Sequence, residues 1–256
     1  MSARWTTRLE ARLGPLGLQL QLASRLPWRA ARTLWRLDLP GVPTRAGCAD
    51  ALREALVLAR DELGREALPW PRSLAIEIDD AWVHHVCLRG DFQSMSARAV
   101  ADAAAGFFTQ ALGQPASELA LCALTQPDGR SLWVAALPAA LRQRLVETAA
   151  EAGLTLAALA PAAQRFLRPA ARWPRDAVLA LAHGSGVLLA CRSGDSWIAM
   201  VNELRPFDAA LHQRALALGR FHGLPPLEGL CWAAAHAGGP PLEGWQDARQ
   251  LLGASA

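Results

Sequence analysis

The sequence predicts an α/β protein built from mixed sheets with flanking helices. Three observations carry this. Short apolar segments alternate or run continuously over strand lengths, and segments of helical period with capping residues lie between them. The same order also occurs twice along the 256 residues: strands joined by hairpins, then a helix, then more strand. Sheets covered by helices follow from that order.

Taken in order, LGLQLQL (16–22) alternates as a strand does, and AARTLWRLDLP (30–40) does so again, with Pro27 in the turn between them. CADALREALVLARDELG (48–64) places Leu52, Leu56, Ala59 and Leu63 at helical spacing, and Gly64 is its expected C-cap. SLAIEID and AWVHHVCLRG read as two strands of a hairpin around Asp79-Asp80. A helix is expected over 94–113, capped by Ser94 or Ser96 and stopped by Gly113. ELALCAL and SLWVAAL flank the turn Pro127-Asp128-Gly129, and a helix follows over 138–153 with Pro138 in its first turn. LTLAAL is the next strand. RPAARWPR (168–175) breaks the periodicity and is taken as the boundary between halves. AVLALAH, GVLLACR and SWIAMVNELR then read as a three-stranded meander, followed by a helix over 208–223, the stretch LEGLCWAAAHAGG and a last helix, LEGWQDARQLLG.

Composition excludes several classes. All 26 basic residues are Arg, which rules out a Schiff-base or P-loop lysine. A net charge of +3 with scattered Arg gives no footprint for nucleic acid. Arg25, Arg29, Arg32 and Arg36 belong to the most basic third, a face for solvent or for anionic lipid. Five widely spaced Cys without a CxxC point to a reduced, cytoplasmic protein. MSARWTTRLEARLG has no apolar h-region, and no uncharged apolar stretch reaches the ~18 residues of a membrane span.

The six histidines carry no metal-ligand spacing, and His84-His85, adjacent on a strand, face opposite ways. Asp79-Asp80 end a strand, where turn formation is the commoner role of Asp. Ser185 in HGSG lacks the first Gly of a nucleophile elbow, and a strand rather than a helix follows. Among the ten Trp, Trp28, Trp70 and Trp173 lie beside Pro and Arg, the setting of partner anchors or of residues folded against their own domain.

The segment VAALPAALRQRLVETAAEAGLTLAAL (134–159), with strand, P-x-x-L, helix, AGL and strand, resembles the actin-like pilus-assembly proteins of the PilM type. It is similar also to the cytoplasmic part of the type II secretion protein GspL. The resemblance runs from about Leu16 to Arg205, more loosely to the end. It implies an actin/Hsp70-like (ribonuclease H-like) fold of two subdomains: residues 1–170 with an inserted α/β element, and a shorter 171–256.

In such a fold two hairpins, each with an Asp and a Gly-rich turn, would hold a nucleotide and its magnesium. The first is expected at LGLQLQLASRLPW, with Gln19 or Gln21 in place of Asp and no Gly in the turn. The second, AHGSGVLL, keeps Gly184, Ser185 and Gly186 but has Ala182 and Val187 where Asp and Thr are expected. Gly238-Gly239 stand where an adenine loop is expected and are followed by Pro240-Pro241. These five residues, Gly184 to Gly186 and Gly238-Gly239, are the candidate degenerate cofactor site.

The resemblance therefore implies a non-catalytic scaffold at the cytoplasmic face of the inner membrane. It would have no cofactor, metal or catalytic residue. Its partners would be the cytoplasmic tail of a pilus or secretion membrane protein and the assembly ATPase. Trp70, Trp82, His84 and Val86 are the candidate partner residues, because an extended peptide can add to a sheet edge or lie in a groove between subdomains, with the hairpin 73–90 and the following helix the first place expected. GspL-type proteins continue into a transmembrane helix, and this chain stops at Ala256, so it is either a free PilM-type protein or a shortened chain. A divergent actin-fold ATPase binding ATP with magnesium, or an unrelated α+β binding module, are the alternatives.

Overall fold

The computed structural model describes residues 6–25, 32–41, 44–167, 173–184, 186–205, 208, 210–225, 227–234 and 244–248. In chain order the elements are β1 (Thr6–Gly14), β2 (Gly17–Arg25), β3 (Arg32–Pro40), α1 (Cys48–Arg65), β4 (Ser73–Ile78), β5 (His84–Arg89), α2 (Ala97–Leu112), β6 (Leu119–Thr125), β7 (Ser131–Pro138), α3 (Ala139–Glu151), β8 (Thr155–Pro161), α4 (Gln164–Leu167), β9 (Asp176–His183), β10 (Gly186–Ser193), β11 (Ser196–Glu203), α5 (Leu211–Phe221), β12 (Gly229–Ala234) and β13 (Gln246–Asp247).

These elements form two compact units that interleave along the chain. Among the described residues, unit 1 holds 6–82 and 140–162, and unit 2 holds 83–139 and 163–248. The expected division at residue 170 instead cuts through unit 2, because the segment from β5 to β7 packs with the later half of the chain.

Unit 1 is a five-stranded sheet in the order β3-β2-β1-β4-β8, antiparallel from β3 to β1 and parallel from β1 to β8. One face buries Leu9, Ala11 and Leu13 of β1 with Leu18, Leu20 and Leu22 of β2. α1 contributes Leu52, Ala55, Leu56, Ala59 and Leu63 to the core, and α3 contributes Leu141, Leu145 and Ala149. Arg53 ties the two helices together through Glu151 at 2.9 Å, and Arg60 donates to the Ala152 carbonyl at 2.6 Å. Alternate residues of β1 to β4 form a polar ladder. Arg12 meets Glu77 at 3.5 Å, Gln19 donates to Asp38 at 2.7 Å, and Gln21 donates to Glu10 at 2.9 Å.

Unit 2 contains a second sheet of the same plan, β11-β10-β9-β12-β13. α5 covers one face, with Leu211 and Ala215 against Val178, Val187, Leu189 and Trp232. The first seven residues of β10 are buried, as in a strand covered on both faces. The unit also holds a small antiparallel sheet, β5-β7-β6, whose apolar face packs against α2 through Val100, Ala104 and Phe108. Ser96 caps α2 by accepting the Ala99 N–H at 3.2 Å, and Gly113 ends it at φ 65°.

Three expectations are corrected here. First, β1 is a strand, so the first hairpin is β1–β2 and its turn is Gly14-Pro15-Leu16-Gly17, which does contain glycine. Second, β4 and β5 are not a hairpin. β4 lies between β1 and β8 in unit 1, a one-turn 3-10 helix at Asp80–Trp82 redirects the chain, and β5 pairs with β7. Third, Gln246–Asp247, expected within the last helix, pair with β12 as a short parallel strand.

Candidate functional sites

The β1–β2 turn is shaped by a close approach. A Cβ on Gly17 would stand 2.7 Å from the Leu39 carbonyl oxygen, so the neighbouring strand requires glycine there. Gln19 and Gln21, expected near an acidic phosphate-loop position, lie instead on the polar ladder, bonded to Asp38 and Glu10. Just beyond β4, Asp79 and Asp80 are buried. The Asp79 N–H donates to the Leu13 carbonyl at 2.7 Å and its carboxylate accepts the Ala81 N–H at 2.9 Å. The pair thus sits beside the end of β1, where sequence reasoning favoured a turn role over that of an acid or base.

The corresponding turn of unit 2 joins β9 to β10 through Gly184, with His183 and Gly186 facing each other in the ladder. A Cβ on Gly186 would fall 1.9 Å from the Glu203 carbonyl oxygen and 3.0 Å from the Leu204 Cα. The glycine thus makes room for the end of β11. His183 is buried and bonds Asn202 Oδ1 at 2.7 Å, tying the turn to the same strand. Ser185, Gly238 and Gly239 lie outside the described residues, as does Trp28. Among the described residues no group of three or more His, Cys, Asp or Glu is placed to hold a metal ion. No described helix is long and apolar enough to cross a membrane.

The candidate partner residues divide between the units. In unit 1, Trp82 is buried, and Trp70 donates its indole N–H to the Ala152 carbonyl at 3.2 Å beneath the Arg60 guanidinium, 4.7 Å from its ring. In unit 2, His84 is exposed, whereas Val86 packs toward the α2 core. A feature that sequence reasoning did not single out lies on the other side of this sheet. β6 pairs only with β7, so its outer edge is free among the described residues. Its sequence, LALCALT, has neither charge nor proline, and it exposes Cys122 and Leu124. Edge strands are usually blunted by one of those devices. The signal was present as an uncharged strand, but which strand would be the edge follows only from sheet order. Unit 2 also carries a groove of about 490 Å³ between α5 and the following loop, lined by His212, Leu216, Arg220, Leu224 and Leu227.

Repeated sheets of order 3-2-1-4-5 with helices define an actin-like fold, and solved structures agree. The cytoplasmic domain of EpsL, an inner membrane component of the type II secretion system of Vibrio cholerae, superposes with a TM-score of 0.55 at 14% identity, covering 96% of this chain and 92% of that one. A protein from a PilM–PilN type IV pilus biogenesis complex gives 0.64 at 16% identity, covering 89% and 81%. A Bacteroides thetaiotaomicron protein with an actin-like ATPase fold and unknown function gives 0.60 at 10% identity, covering 91% and 83%. No family model matches the chain, and no curated protein does.

Proposed function

We propose that this chain is a non-catalytic scaffold of a type IV pilus or type II secretion assembly platform. It works at the cytoplasmic face of the inner membrane and binds the cytoplasmic tail of a membrane partner. The observation that supports the non-catalytic part is at Gly186: its missing side chain is accounted for by packing, since a Cβ there would stand 1.9 Å from the Glu203 carbonyl oxygen of β11, so the glycine needs no phosphate to explain it. The fold likeness to the EpsL domain and to PilM supports the choice of system. Docking by strand addition at β6 fits its free, uncharged edge, where main-chain groups supply affinity and pockets for alternate side chains supply specificity. The assembly ATPase is a further partner in this reading.

The test is retention of the full chain on immobilised N-terminal tails of pilus and secretion inner-membrane proteins. One tail is expected to retain it, and Leu124→Arg, a change at an exposed position, is expected to weaken retention at least tenfold. Loss of binding to every tail would sink the scaffold reading; equal binding by the variant would sink the β6 docking mode.

A second reading, residual nucleotide binding, is favoured by the buried Asp79 and Asp80 beside the end of β1. Under the scaffold reading, millimolar ATP with magnesium leaves the melting temperature unchanged. A saturable rise would establish nucleotide binding, since a ligand of the native state adds stability.

A further inference from the structure

We propose that Arg192, Trp173 and Trp197 of unit 2 form a buried site for one small monovalent anion, at the end of the β10–β11 hairpin opposite Gly186. The Arg192 side chain is 4% exposed, and it sits 5.8 Å from the Trp197 ring centroid. Trp173 meets Trp197 edge to face at 5.3 Å. Only Nη2 of Arg192 has an acceptor, Asp195 at 3.2 Å, and that carboxylate is 86% exposed. Four donors in this one cluster are buried without an acceptor among the described residues: Nε and Nη1 of Arg192 and the indole nitrogens of Trp173 and Trp197.

Two neighbouring side-chain acceptors bond elsewhere. Asp176 accepts from Ser193 at 2.9 Å, and the Gln126 side chain accepts the Trp197 main-chain N–H at 3.3 Å. Buried polar groups in folded proteins are almost always satisfied, so four orphaned donors around one guanidinium require an explanation. Arginine and indole offer donors and no acceptor, which selects an acceptor-only ligand. A neutral acceptor would satisfy the N–H groups but leave the buried guanidinium countered only by Asp195, whose carboxylate is mostly in solvent. An anion does both. Burial already works against the charged form of Arg192, with Asp195 opposing it only in part. The cluster contains a single guanidinium, which favours a ligand of one negative charge, and a halide and formate are the small acceptor-only ions that serve as its probes. The inference stands apart from the scaffold reading.

The experiment is thermal unfolding of the full chain in low-salt buffer titrated with sodium chloride, bromide, formate or gluconate at matched ionic strength. Chloride and bromide, or formate, should raise the melting temperature saturably by roughly 4 °C over gluconate. A halide response identifies a halide site, and a response to formate alone a carboxylate site. Arg192→Met, which keeps the stem and removes the donors, should respond to every salt as wild type does to gluconate. Crystals of the wild-type chain soaked in bromide should show an anomalous peak within hydrogen-bonding reach of Arg192, and a formate complex is read from its own density. These crystals decide the matter even if the variant does not fold. Equal responses to all four salts, or crystals with neither ion beside Arg192, would overturn the proposal.

Discussion

Gly186 shows how one residue type can serve either chemistry or packing. Glycine at a hairpin turn reads as a phosphate cradle when the sequence around it resembles an actin-like loop. In the structure its missing side chain makes room for Glu203 O, 1.9 Å from the position a Cβ would take. Gly186→Ala is therefore expected to cost about 3 kcal/mol, at the upper end of overpacking penalties, measured by urea unfolding. The cysteines behave as buried groups do. Burial pushes Cys48 up to about 11, and Cys87, Cys191 and Cys231 up to about 12. At pH 8 such a buried thiol is ionised in about one molecule in a thousand or fewer. Cys122 alone is exposed. One of the five thiols should then react rapidly with Ellman's reagent in the native protein, and Cys122→Ser should remove that fast phase.

At the scale of elements, the β6–β7 turn is organised by Asp128. Its carboxylate accepts the N–H groups of Arg130 and Ser131 at 3.0 and 2.9 Å and the Ser131 hydroxyl at 2.7 Å, while its own N–H donates to Ser196 at 2.9 Å. Burial opposes its charge, but the bonds from Ser131 and Arg130, with Arg89 nearby, outweigh that and hold it below the usual 3.8. A carboxylate so depressed contributes stability that is full above the unfolded value and is lost as pH falls through the lower, folded value. Asp128→Ala should cost about 2 kcal/mol at pH 7 and distinctly less at pH 3, read from denaturation midpoints at both pH values. Much of this level was legible in the sequence. The cap and stop of α2, the turn at 127–129 and the meander of β9 to β11 each carried local chemistry. β1 was not legible. TTRLEARLG hides Leu9, Ala11 and Leu13 between Arg and Glu, and those charges make sense only once Gln19, Gln21 and Glu77 stand opposite them. Missing that strand moved the first hairpin one strand along the chain and made Gln19 or Gln21 stand where an Asp holding magnesium is expected.

For the whole molecule, the repeated order of strands and helices predicted mixed sheets covered by helices, and the structure has three sheets, two of them of one plan. What the repeat could not convey is which stretches belong together. Asp79-Asp80 looked like a hairpin tip because two strands flank them closely, yet those strands join different sheets. Sheet membership is set by long-range packing, which local periodicity does not encode. The candidate sites divide in the same way: glycine positions were visible, while the free edge of β6 and the donor cluster at Arg192 arise only when distant segments meet.

The interleaving of the two units also sets a timetable for biosynthesis. β8, the last strand of the first sheet, and α3 of the same unit are translated only after the whole stretch from β5 to β7. The emerging chain must therefore carry an open first sheet, with the β4 edge unpaired, until residue 161 has cleared the ribosome.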